Sequence, residues 1–112
     1  MGRDSMNLMK GTLDLLIMKT ISLKPMHGYD ISRWVFQRTS ERIQIDDSAL
    51  YQALRRMENR GWLISEWRES PTGREAKFYQ LSPEGKAQLD TRTQSWRTYT
   101  EAMSTVLVAV EV

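Results

Sequence analysis

The sequence predicts a mainly helical α+β fold, with three compact helices, a two-stranded ribbon and a long terminal helix in that order. Three observations carry this. Leu50, Leu54 and Met57 keep helical spacing inside a segment with stop and start signals at both ends. Two runs rich in Trp, Ile, Phe and Tyr flank the turn-forming residues 69–75. Ser82-Pro83-Glu84 then opens a helix in which apolar residues recur every seven positions.

At 112 residues the chain is sized for one small domain, in the range where association often helps to bury surface. Sixteen Lys and Arg against 14 Asp and Glu leave a net charge of +2, so any attraction to nucleic acid rests on local placement and not on bulk charge. Cysteine is absent, which excludes disulfides, thiolate catalysis and cysteine-type zinc sites; a reducing cytoplasm fits this composition. The apolar run from Leu13 to Met18 is interrupted by Asp14 and falls far short of the roughly 20 residues that span a bilayer. Neither a signal peptide nor a membrane anchor is expected.

Residues 1–5 read as a loose tail. From Met6 to about Ser22, Met9, Leu13, Leu16, Ile17 and Ile21 keep helical spacing, and Leu15 and Met18 widen the stripe, so this first helix is expected to be buried on more than one side. Gly11 inside it costs about 1 kcal/mol relative to alanine. Either another helix approaches closely there, or Gly11 lies at a frayed end. Lys24 to Gly28 form a breaker cluster, after which Tyr29, Ile31, Val35 and Phe36 indicate a second helix to about Arg38. Between Thr39 and Asp47, Ile43 and Ile45 alternate with Gln44, enough for a minimal strand.

The third helix is the element the rest serves. Asp46 or Asp47 can cap its start, and Gly61 before Trp62 fits a left-handed C-terminal cap. Opposite its apolar stripe lie Ser48, Tyr51, Gln52, Arg55 and Asn59, all able to donate hydrogen bonds, so that face calls for a polar, anionic partner. The ribbon follows as runs 62–68 and 76–81, with Arg68, Arg74 and Lys77 offset by Glu69 and Glu75 around its tip. In the terminal helix Leu89, Trp96, Met103 and Val110 recur every seven residues, with Tyr99 and Val106 between them and Arg92 as the one polar member. A seam this narrow suits pairing with another helix. The end is expected to fray where residues 106–112 are mostly β-branched.

This order is the plan of a winged helix-turn-helix, in which the third helix enters the major groove and the ribbon tip lies along the backbone. Ser48, Gln52 and Arg55 are placed to reach base edges or phosphates, and Tyr51, Arg74 and Lys77 to meet phosphates. No acid–base dyad or nucleophile pair can be assembled from a single His and scattered serines, which argues against an enzyme. A winged helix that binds proteins is the alternative; apolar or acidic residues at positions 48, 52 and 55 would mark it, whereas polar and basic residues stand there. His27 is read as a loop residue hydrogen-bonded locally or near phosphate, with no metal role. Trp34, Trp62 and Trp67 are read as core or ribbon cover, and Arg55 as a DNA contact in preference to plain solvation; Arg56 and Arg60 stay open.

The stretches Leu8 to Ile17 (LMKGTLDLLI), Met26 to Ile31 (MHGYDI), Leu50 to Ile64 (LYQALRRMENRGWLI) and Lys77 to Gly85 (KFYQLSPEG) resemble the PadR-like transcriptional regulators, and in particular a short subgroup first catalogued in acidobacteria. The likeness spans about residues 6–100. It implies a DNA-binding unit over 6–81 and a dimerisation helix over 82–112 that contacts the partner's first helix. It also implies a homodimer on a palindromic operator, repression of a nearby promoter, and release by a small aromatic or cationic compound. Carried onto this chain, the DNA contacts are Ser48, Ala49, Tyr51, Gln52, Arg55, Arg74 and Lys77. The dimer contacts are Leu13, Leu16, Leu89, Trp96, Tyr99, Met103 and Val106, and Trp96 is the candidate effector contact, although an aromatic on a seam is packing by default. No cofactor or metal is expected. Where the family shows Gly-Thr-Leu-Tyr-Pro at the start of the reading helix, this chain has Ser48-Ala49-Leu50-Tyr51-Gln52. That moves one hydroxyl and adds a side chain able to read bases, so the operator sequence does not carry over.

Overall fold

The computed structural model describes residues 11–111. They form α1 (Thr12–Leu23), β1 (Met26–His27), α2 (Gly28–Arg38), α3 (Asp47–Asn59), β2 (Leu63–Glu69), β3 (Glu75–Leu81) and α4 (Pro83–Leu107). The expected tail at 1–5 and the expected helix start at Met6 lie outside the described residues. Among the described residues, no helix is long and apolar enough to cross a membrane.

Each helix boundary has a local cause. Gly11 stands ahead of α1 with φ +88°, and nothing lies within 4 Å of where its Cβ would be. Among the described residues no second helix approaches that closely, and a left-handed backbone accounts for the glycine. The Asp46 carboxylate accepts from the Ala49 N–H at 3.0 Å and caps α3. At the other end Gly61 takes φ +82°, while the Trp62 N–H reaches back to the Met57 carbonyl at 3.0 Å. The Ser82 hydroxyl accepts from the Gly85 N–H at 3.0 Å and donates to the Gly61 carbonyl at 2.6 Å, so the cap of α4 also closes the base of the ribbon. Gly85 has to be glycine, since a Cβ there would run into the Trp62 carbonyl.

The sheet has the order β1-β3-β2, with β3 central and both pairings antiparallel. β1 is the strand the sequence places elsewhere: Met26 pairs with Tyr79 and His27 with Phe78, whereas 42–46 forms no strand. Two residues carry no alternation of their own, and a strand this short exists only because β3 offers it an edge. Ile45 is buried and Ile43 packs on the core, so both are used as apolar anchors of a loop. That loop starts from two left-handed residues, Ser40 and Glu41, and the Thr39 hydroxyl accepts from the Ile43 N–H at 3.0 Å.

A single core gathers Ile17, Met18 and Ile21 of α1, Ile31 and Val35 of α2, and Leu50, Leu54 and Met57 of α3. Leu63, Tyr79 and Leu81 of the sheet and Leu89 of α4 close it. Beyond Leu89, α4 leaves the core and runs on as a largely exposed arm that flanks α1 at Trp96 and Tyr99. The helix ends at Leu107, in keeping with the expected β-branched fray.

Candidate nucleic-acid interface

The site is built on α3. With Leu50, Ala53, Leu54 and Met57 buried, one side of the helix is fixed inward, and Ser48, Tyr51, Gln52, Arg55 and Asn59 are left exposed as a continuous face. Gln52 Nε2 donates to the Ser48 hydroxyl at 3.4 Å, a long bond in water that leaves both groups free to exchange it for a base edge. Ala49 is half-buried and its N–H is taken by Asp46, so it has only a methyl group to offer. The Tyr51 ring lies on the start of α2: a Cβ on Gly28 would come within 2.6 Å of the phenol oxygen.

Two charged braces hold α3, one on each flank of this face. On one side Arg56 pairs with Asp14 of α1, a residue only 6 % exposed. On the other side Glu58 accepts from the Ser65 hydroxyl of β2 at 2.5 Å and pairs with the Lys77 ammonium of β3 at 3.2 Å. The Ser65 hydrogen bond holds the Glu58 carboxyl below the ordinary range against a smaller opposing effect of burial, and Lys77 adds to it. Burial pushes the neighbouring Tyr79 phenol up. Of the expected phosphate contacts, Lys77 is thus already ion-paired to α3. Arg74 sits exposed at the ribbon tip beside Gly73, which has φ +87°.

Trp67 departs from the expectation of core or ribbon cover: it is 65 % exposed. On the pleat it shares a face with Leu63 and Ser65, but α3 meets that face through Glu58 at Ser65 and at the ammonium of Lys77, the cross-strand neighbour of Trp67, and leaves the Trp67 ring exposed. With Tyr29, Arg33, Tyr51, Arg74 and Lys77 it lines a groove of about 820 Å³ between the start of α2 and the ribbon. Sequence reasoning missed Tyr29 and Trp67 here; alternation puts Trp67 on the face of Leu63 but does not say how far α3 covers that face. Trp34 and Trp62 do cover the core, and Trp62 carries Arg60 and Arg92 over its ring at 5.2 and 4.9 Å. His27 is held locally: its Nδ1 accepts from the Asp30 N–H at 3.4 Å and caps α2, and its ring stands edge-on to Phe78.

The seam residues are treated unequally by the fold. Leu89 is taken into the chain's own core, and Leu13 and Leu16 pack against that core half-buried, so these three have little surface left for a partner. Trp96, Tyr99, Met103 and Val106 stand exposed along the arm of α4. Arg92 turns off the seam toward Trp62 and Gln88. Between α1 and α4 a groove of about 430 Å³ is lined by Thr12, Leu15, Arg92, Ser95, Trp96 and Tyr99. No cluster of metal-ligating side chains occurs among the described residues.

A helix-turn-helix with a donor-bearing third helix, followed by a ribbon and a separate long helix, defines a winged-helix DNA-binding protein. The comparisons make this specific. The model of the "Transcriptional regulator PadR-like family" matches residues 17–91, so the chain belongs to that family of DNA-binding transcription regulators, which are not enzymes. It is similar to a PadR family transcription regulator from Clostridium difficile, at 31 % identity and a TM-score of 0.76 over 87 % of this chain and 99 % of that one. A PadR family transcriptional regulator from Eggerthella lenta is 26 % identical, with a TM-score of 0.76 over 90 % and 86 % of the two chains. An uncharacterized protein of Lysinibacillus sphaericus is 27 % identical over 105 residues, 94 % of this chain and 96 % of its own.

Proposed function

We propose that the chain is a cytoplasmic repressor that binds a pseudo-palindromic operator as a homodimer. The observation that carries this reading is the pairing of two unmet surfaces: a polar face on α3 with its apolar side fully buried, and an apolar seam on α4 beyond its own core. Ser48, Gln52 and Arg55 read base edges, with Ala49 offering a methyl contact. Tyr51, Arg74 and Lys77 meet phosphates and set register. Trp96, Tyr99, Met103 and Val106 form the centre of the dimer contact, and Leu13, Leu16 and Leu89 support it from the core side. Pairing of two α4 helices fixes the spacing of the two reading helices, which a two-fold operator then matches.

The groove between α1 and α4 supports an effector role for Trp96, with a small flat aromatic or cationic compound as ligand. Its test is tryptophan fluorescence against phenolic and planar cationic compounds, where quenching that is lost in Trp96→Leu is expected and an unchanged spectrum with every compound removes the role. The main reading is tested by selecting bound fragments from random DNA with the purified protein. Recovery of a two-fold symmetric sequence bound by two chains is expected; recovery of no enriched sequence at low salt would overturn it.

A further inference from the structure

Helical spacing alone places Arg56 in one row with Ser48 and Gln52, since 48, 52 and 56 follow each other at intervals of four. By that measure it would be one more cation for the DNA. Its guanidinium is instead turned to the flank of α3 and bound to Asp14, which lies 42 residues earlier, in the first turn of α1. Asp14 is buried at 6 % exposure, and a carboxylate so placed is tolerated only with a cation or donors on it. The partner residue is 44 % exposed at its side chain, so the pair is a charged bridge whose acid end is inside and whose base end reaches the surface. On the opposite flank, Glu58 ties α3 to both strands of the ribbon.

We infer that Asp14 is a positioning residue for DNA recognition: it engages Arg56 to fix the rotation of α3 about its own axis. The inference rests on the reading of α3 as the recognition helix. Apolar packing fixes which side of α3 faces inward, but side chains such as Leu54 and Met57 permit small rolls. A charged contact on each flank resists a roll in either direction. Bidentate contacts from Gln52 and Arg55 are sensitive to such a roll, because both hydrogen bonds must align with one base.

The experiment is fluorescence anisotropy of a selected duplex over a range of salt concentrations, with the parent, Asp14→Asn, Arg56→Gln and the double variant, alongside thermal unfolding of each. Either single variant is expected to weaken binding on the order of 10-fold, with the salt slope unchanged, and the double variant to be no weaker than the singles. A phosphate-contacting Arg56 behaves differently: Arg56→Gln lowers the salt slope by about 1, and Asp14→Asn tightens binding by releasing the guanidinium. Either of those results overturns the inference, as does parental affinity in both variants. A bridge that only stabilises lowers the melting temperature while the folded protein binds as the parent does, which also overturns it. Should Asp14→Asn fail to fold, the exposed end is still read by Arg56→Gln. Failure of the underlying reading looks distinct, because then Arg55→Ala binds as the parent or the parent binds no duplex.

Discussion

α3 and α4 are both amphipathic, and they leave opposite faces uncovered. In α3 the apolar residues Leu50, Leu54 and Met57 are fully buried, and what remains outside is a row of donors. In α4 only the first heptad position, Leu89, is taken into the core; Met103 is 44 % and Val106 73 % exposed. The same kind of sequence periodicity therefore has two different meanings. A stripe that finds its core inside the chain leaves a polar face for a ligand, whereas a stripe that outruns its core is a surface that water disfavours and a second helix suits. On the proposed function, the contrast divides the labour between recognition at α3 and spacing at α4.

The contrast can be broken at either end. Leu54→Ala in α3 is expected to cost about 3 kcal/mol of folding stability, as truncation of a fully buried leucine leaves a cavity, and urea unfolding measures it. Met103→Asp in α4 is expected to weaken self-association by about 100-fold or more, because the seam would have to bury a carboxylate, while the monomer stays folded. Sedimentation equilibrium showing a parental dimer for that variant would take α4 out of the interface. Arg55→Ala is expected to lower affinity for the selected duplex about 10-fold or more with unfolding unchanged.

The smallest effect sharpens the comparison at the α3 flank. The carboxyl of Glu58 is lowered in the folded state by its Ser65 and Lys77 partners, so the folded protein binds its proton less readily than the unfolded chain. Its contribution to stability is full above the ordinary glutamate value of about 4.3 and is lost as pH falls through the lowered folded value. Urea midpoints for Glu58→Gln should therefore fall less than the parent's between pH 6 and pH 3. Equal declines would remove Glu58 as a pH-dependent brace of the ribbon.

Local features of the fold were legible in the sequence because their causes are local. Asp46, Gly61 and Ser82-Pro83 announce helix ends through their own hydrogen-bonding or backbone preferences, and the ribbon's runs fall within a residue or two of β2 and β3. Features set by distant partners were not legible. β1 has no pattern of its own and is defined by Tyr79 and Phe78, some fifty residues later in the chain. The bridge of Arg56 to Asp14 and the capture of Lys77 by Glu58 depend on how helices and ribbon pack, which no spacing rule encodes. Trp67 fails for a related reason: its type suggests burial, but its exposure is decided by where α3 stops covering the sheet. On α3, residue type and helical period sufficed to place Ser48, Gln52 and Arg55 on the exposed side, and left Arg56 open until its partner Asp14 was seen.

The division of labour between the two helices is tested most directly by measuring stoichiometry and affinity together, through analytical ultracentrifugation of a labelled duplex with the parent, Arg55→Ala and Met103→Asp. Two chains per duplex for the parent are expected, with Arg55→Ala dimeric but weakly bound, and Met103→Asp monomeric and weakly bound. Full affinity in the Arg55→Ala dimer, or a Met103→Asp monomer that binds as tightly as the parent, would contradict it.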